Sequence, residues 1–152
     1  MIKLLASIII CQLAGIIGAV FTTPSISGWY AGLNKPFFNP PNWLFGPVWT
    51  LLYLLMGIAL YVIWNQKDGV ETKTALIFFA VQLGLNTLWS IIFFGMRLPS
   101  VAFIEILILL LFIILTIVKF FPISKASAYL LIPYLLWVSF ASLLNFYIIK
   151  LN

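Results

Sequence analysis

A chain of 152 residues that is 64% hydrophobic and only 7% charged lies far outside the composition of a water-soluble domain and reads as an integral membrane protein. Histidine is absent and Cys11 is the single cysteine, which excludes a histidine-ligated haem, a histidine-based zinc site, a Ser-His-Asp triad and an internal disulfide. The net charge of +5 is spread thinly over short connections, so it speaks to membrane topology and not to nucleic acid.

Charge-free windows run from Leu4 to Asn34, Pro36 to Gln66, Thr74 to Met96 and Ala126 to Ile149, and a fifth from Leu98 to Val118 holds one charge, Glu105. Each is long enough for the roughly 20 apolar residues that cross a bilayer. Their unbroken Leu/Ile/Phe runs lack the alternation of a barrel strand, and backbone groups in hydrocarbon must be satisfied within the segment. The expected fold is therefore all-α: an integral membrane bundle of five transmembrane helices in a single domain, with a structured aromatic and proline-rich loop between helices 1 and 2. Lys3 precedes an apolar run long enough to be a retained first helix, and no A-x-A-like cleavage site follows.

Helix 1 is expected over residues 4–21. Gln12, Gly15, Ala19 and Thr23 share one side, a small and polar face suited to close packing against a neighbouring helix, with Ala14 and Gly18 as an alternative surface for dimerisation. Next comes Trp29–Tyr53, with eight aromatic residues, four prolines and one charge, Lys35. Pro24, Gly28, Gly32, Pro36, Pro40 and Pro41 are expected to break any helix here, giving a rigid, greasy loop that suits a lid over a pocket. Helix 2 is expected over 43–64, with Phe45, Trp49, Tyr53 and Gly57 four apart in a stripe. A belt at the interface accounts for Trp43 and Trp64 but not for the deeper Trp49 and Tyr53.

Helix 3, over 74–94, carries Gln82, Asn86 and Trp89 on one face. Amides in lipid need partners, so that face looks inward, either as interhelical glue or as a ligand's polar handle. Helix 4, over 99–118, contains Glu105, an intramembrane carboxylate and so a functional-site candidate, expected either to have its charged form disfavoured by burial or to find a hydrogen-bond partner such as an amide or tyrosine. Helix 5, over 127–149, is expected to kink at Pro133 and aligns Tyr134, Trp137, Ala141 and Asn145. With five spans, Lys3, Lys67, Lys73, Lys119 and Lys125 share one side while Lys35, Arg97 and Lys150 share the other, which favours a cytoplasmic N-terminus.

The run Trp29-Tyr30-x-x-Leu33-x-Lys35-Pro36-x-Phe38-x-Pro40-Pro41, followed by Pro47-Val48-Trp49-x-x-x-Tyr53-x-x-Met56-Gly57, resembles the signature of the TspO/MBR family of tryptophan-rich sensory proteins. These are related to the mitochondrial translocator protein, or peripheral benzodiazepine receptor. Asn86-x-x-Trp89 with Phe93-Phe94-Gly95, and Pro133-Tyr134-x-x-Trp137 with Leu144-Asn145, extend the resemblance over essentially the whole chain. It implies a five-helix bundle, usually dimeric, in a bacterial cell membrane, that binds protoporphyrin IX, benzodiazepine-type or isoquinoline carboxamide ligands, and sterols. Carried over position by position, the pocket would be lined by Trp49, Tyr53, Gln82, Asn86, Trp89, Trp137 and Ala141, with Tyr30 and Pro40 from the lid.

A porphyrin needs aromatic plates and a polar or cationic group for its propionates. Trp49, Trp89 and Trp137 suit the first need and Lys35 the second. The porphyrin is expected as a ligand, preferably metal-free, and no cofactor is required. Receptor, sensor or transporter is the first expectation. The resemblance also implies an enzyme-like alternative, light- and oxygen-dependent porphyrin breakdown with Trp49 and Trp137 as the reactive indoles, and a third reading is a membrane assembly factor. Two departures stand out. Phe38 replaces a frequent tryptophan, and Phe146 falls where animal members have the tyrosine of a sterol motif, although Leu144-x-x-Tyr147-x-x-Lys150 keeps the loose pattern.

Overall fold

The computed structural model describes residues 1–152 and contains five helical spans long and apolar enough to cross a membrane. Helix α1 covers Ile2–Ser25 and continues as a wide π-helical turn over Ile26–Tyr30. Helix α2 covers Asn42–Trp64, α3 covers Val70–Ser90 with a second π-helical turn over Ile91–Gly95, and α4 covers Pro99–Phe120. The last span is interrupted, with α5 over Lys125–Leu130 and α6 over Ile132–Leu151.

The expected end of helix 1 is corrected here. Pro24 lies inside the helix, and Trp29 and Tyr30 belong to its final turn instead of the loop. Proline removes one N–H, but unravelling at this depth would leave several backbone groups without water, so the chain widens into a π turn instead. The neighbouring π turn of α3 lies alongside. Ser25 Oγ donates to the Phe94 carbonyl at 2.7 Å, and Gly95 is required because a Cβ there would lie 2.8 Å from Phe21 Cδ1.

The helices form a ring in which α1 packs on α2 and α3, α3 on α4, α4 on α6, and α5 back on α2. Close approach of α1 to α2 occurs where Gly57 meets the Ile8 backbone, with a built Cβ only 2.8 Å from Ile8 Cα. Between α1 and α3, Gly18 faces Ser90 and Thr87 Oγ1 donates to the Ala14 carbonyl at 3.1 Å. Ala14 and Gly18 thus pack within the chain. A core of Met56, Ile63, Ala75, Phe79, Ile106, Leu109, Ile113 and Phe120 fills the end of the bundle holding the N-terminus.

Pro133 acts as expected: it cannot donate to the carbonyl four residues earlier, and the last span breaks at Leu131. Ser127 Oγ donates to the Ala59 carbonyl at 3.3 Å, fixing α5 against α2, whereas α6 leans on α4. Beyond the break, α2 and α6 are spaced apart by aromatic side chains. Phe45 meets Trp137 at 6.0 Å and Trp49 meets Tyr134 at 6.3 Å between ring centroids. This divergence makes room for a cavity.

Candidate functional site: an aromatic cavity over a polar floor

A cavity of about 510 Å³ lies among α1, α2, the α3 π turn and α6, within the range of small-molecule sites. Its lining on α2 runs from Asn42 to Tyr53, which at 1.5 Å per residue spans about 16 Å, roughly half the hydrocarbon core. Trp49 and Phe45 come from α2, Trp89 and Phe93 from α3 and its π turn, and Trp137 and Ala141 from α6. Ala141 is a small residue between these plates. The Trp137 indole N–H is buried without a partner.

Below lies a hydrogen-bonded chain. Tyr53 donates to Asn86 Oδ1 at 3.0 Å, Asn86 Nδ2 donates to the Tyr134 hydroxyl at 2.7 Å, and Tyr134 donates to Gln82 Oε1 at 2.8 Å. All four residues are buried. At the side wall, Trp89 Nε1 donates to Asn145 Oδ1 at 3.0 Å while Asn145 Nδ2 donates to the Pro99 carbonyl at 2.9 Å. That pair ties α3, α6 and the start of α4 together and holds the Trp89 ring, which stacks on Phe93 at 5.0 Å.

Of the residues expected to form the pocket, Tyr30, Trp49, Tyr53, Trp89, Trp137 and Ala141 border the cavity, and Gln82, Asn86, Lys35 and Pro40 do not. Gln82 and Asn86 fall a turn or two deeper than Trp89; both ends of the Asn86 amide bond to the two tyrosines, while Gln82 accepts from Tyr134 and turns its Nε2 toward the Met56 sulfur at 4.0 Å. They support the floor. Lys35 turns back on its own loop, with Nζ donating to the Leu33 carbonyl at 3.2 Å and sitting 4.8 Å from the Tyr30 ring centre. The Pro40 carbonyl accepts from Asn39 Nδ2 at 3.2 Å, and Asn39 Oδ1 accepts from Tyr30 at 3.2 Å. No residue from 31 to 41 lines the cavity.

The side of α1 expected to be a packing face does pack on α2, through Gln12 to the Thr50 carbonyl and Gly15 to the Tyr53 ring, and it also borders the cavity. Gln12, Gly15, Ala19 and Thr23 all line it, and Gly15 is necessary because a Cβ there would lie 2.5 Å from the Tyr53 ring. The i, i+4 spacing was visible in sequence, but small residues make room for a helix or a ligand equally well. Glu105 is buried and both carboxyl oxygens lack hydrogen-bond partners, so of the two expected alternatives the amide or tyrosine contact is not formed. The nearby hydroxyls and amides already partner one another. Leu144 lines the cavity while Tyr147 lies against Phe38 of the loop, 5.4 Å between ring centres. The loose sterol pattern therefore does not form one free surface.

Comparison with known proteins fits this architecture. The model of the TspO/MBR family matches residues 7–151. A tryptophan-rich protein TspO from Archaeoglobus fulgidus is 52% identical over 151 residues, covering 99% of this chain and 97% of the relative. A tryptophan-rich sensory protein from Cereibacter sphaeroides is 40% identical, with 89% and 85% covered. The translocator protein of Homo sapiens is also 40% identical, with 78% and 71% covered. On these grounds the chain belongs to the TspO/MBR family.

Proposed function

We propose that this integral membrane protein is a receptor or sensor for a flat, hydrophobic tetrapyrrole, with protoporphyrin IX as the representative ligand. The observation that carries the reading is the cavity whose walls present Trp49, Trp89 and Trp137 with Phe45, Phe93 and Tyr53. Aromatic faces at that density match a large π-system better than a flexible chain, because stacked and edge-on contacts add to the burial term. The propionates would meet polar lining near the mouth, where Asn42, Thr22 and Thr23 lie; Lys35 would have to leave Tyr30 to join them. The cavity offers no imidazole, which favours a metal-free macrocycle. Benzodiazepine-type ligands would use the same walls. Binding is tested by titrating protoporphyrin IX into the reconstituted protein and following tryptophan fluorescence. Saturable quenching is expected, with Trp49→Ala and Trp137→Ala each weakening it about tenfold, near 1.4 kcal/mol. Quenching that never saturates, or that ignores both substitutions, sinks the proposal.

A second reading has a specific observation in its favour: Trp49 and Trp137, on different helices, border the same cavity. An excited porphyrin held there would face oxidisable indoles, with dioxygen as the oxidant. Illumination in air should then bleach the bound porphyrin faster than the free one, and the excess should vanish under argon or in Trp49→Phe and Trp137→Phe. Equal bleaching rates would leave binding alone.

A further inference from the structure

Three of the cavity's sides are closed. Toward α6, Phe45 and Trp137 bridge the gap; toward α3, Gly18 faces Ser90 and the two π turns are stitched by Ser25. Above, the loop is tied down. Asn34 N donates to Asn152 Oδ1 at 3.0 Å, Asn34 Nδ2 to the Leu151 carbonyl at 3.3 Å, and Asn152 Nδ2 to the Asn34 carbonyl at 2.9 Å. Phe38 is wedged on Phe140 and Tyr147, at 6.2 and 5.4 Å between ring centres.

The fourth side differs. Helices α1 and α2 touch closely at Ile8 and Gly57 and again where Gly15 meets the Tyr53 ring, and beyond these contacts the cavity lies between them. Along the rims, Ile16, Ala19 and Thr23 of α1 and Trp43, Gly46 and Thr50 of α2 line the cavity and are exposed, Ile16 to 58% and Trp43 to 72%. A Cβ at Gly46 would meet nothing within 4 Å. Gln12 Nε2, donating to the Thr50 carbonyl at 3.1 Å, is the hydrogen bond that spans the gap, at its deep end. At membrane depth this opening faces hydrocarbon, and the exposed Trp43 suits the headgroup level.

We propose that the ligand enters sideways from the bilayer between α1 and α2, beneath a loop that is a fixed roof and not a moving lid. The substrate class is then a membrane-partitioned amphiphile whose polar end stays near Asn42 and Trp43 while its apolar body slides between Ala19 and Gly46. This inference rests on the binding reading above.

The test uses protein reconstituted in phosphatidylcholine vesicles, with protoporphyrin IX as probe and tryptophan quenching read by stopped flow. Val20, 63% exposed on the outer rim and outside the cavity lining, is changed to Val20→Cys and alkylated with a bulky maleimide after folding. Leu107→Cys on the lipid face of α4, labelled identically, is the control, and native Cys11 is fully buried. Labelled Val20→Cys is expected to bind and release about tenfold more slowly than the control with an unchanged end point. Asn34→Cys with Asn152→Cys, oxidised to lock the roof, is expected to exchange at the rate of its reduced form. Equal rates for the two labelled proteins, or slowing on locking the roof, would overturn lateral entry. Because labelling and oxidation follow folding, each sample is its own folding control. Loss of saturable quenching in the unmodified protein would instead defeat the binding reading itself.

Discussion

Tyr134 is completely buried, and its hydroxyl both accepts from Asn86 and donates to Gln82. Removing one member of such a pair strands the other where no water can replace it. Gln82→Leu should therefore lower stability by about 1–3 kcal/mol, and adding Tyr134→Phe should not recover that loss, since Asn86 Nδ2 then becomes the stranded donor. Thermal unfolding in detergent reads both. Gly15 makes a different claim. With its Cβ 2.5 Å from Tyr53 Cε2, Gly15→Ala must push the phenol ring toward the cavity and strain its bond to Asn86. Porphyrin affinity should fall about tenfold in a quenching titration, with a smaller change in melting temperature. That Gln82 and Asn86 face inward was legible from their spacing with Trp89. That they bond to tyrosines across the bundle was not, because Tyr53 and Tyr134 come from helices far away in sequence.

At the level of elements, proline had opposite consequences at two sites. Pro133 breaks the last span and sends α6 away from α2, while Pro24 leaves α1 running on to a π turn. What separates them is the packing at the break: beside Pro24, the Ser25 hydroxyl donates to the Phe94 carbonyl of the adjoining π turn of α3 and holds the two ends together. Ser25→Ala is expected to cost about 1 kcal/mol by leaving the Phe94 carbonyl unpaired. Pro133→Ala restores a donor, so the chain should melt no lower than the parent; a straighter last span would close the wedge between α2 and α6. Its signature would be lost porphyrin quenching in a protein of undiminished stability, and retained affinity would show that the wedge does not depend on the break.

Across the whole molecule, basic residues gather at the two ends, Lys3, Lys67, Lys73, Lys119 and Lys125 opposite Lys35, Arg97 and Lys150. The cavity mouth, at Asn42 and Trp43, lies at the less basic end, beside Asn34 and Asn152. The positive-inside rule predicts that this mouth faces away from the cytoplasm. A Lys67→Cys variant in intact cells should then resist a membrane-impermeant maleimide until the membrane is permeabilised, whereas Lys35→Cys should label at once; the reverse pattern would invert the topology.

Composition alone determined the solvent: with so few charges, five apolar runs of spanning length had to become helices that satisfy their own backbone, and the aromatic and proline-rich signature placed the chain in its family. Helical periodicity also determined the faces, including the α1 side of Gln12, Gly15, Ala19 and Thr23. What lay opposite each face was decided by tertiary structure. The same small residues could have met a helix or enclosed a void, and the divergence of α2 from α6, set by the break before Pro133 and the bulk of Phe45, Trp49 and Trp137, turned them toward a cavity. The loop's part was decided the same way. Its prolines made it rigid, but only the clasp of Asn34 with Asn152 made it a roof that leaves the side between α1 and α2 open, since that clasp joins residues more than a hundred positions apart.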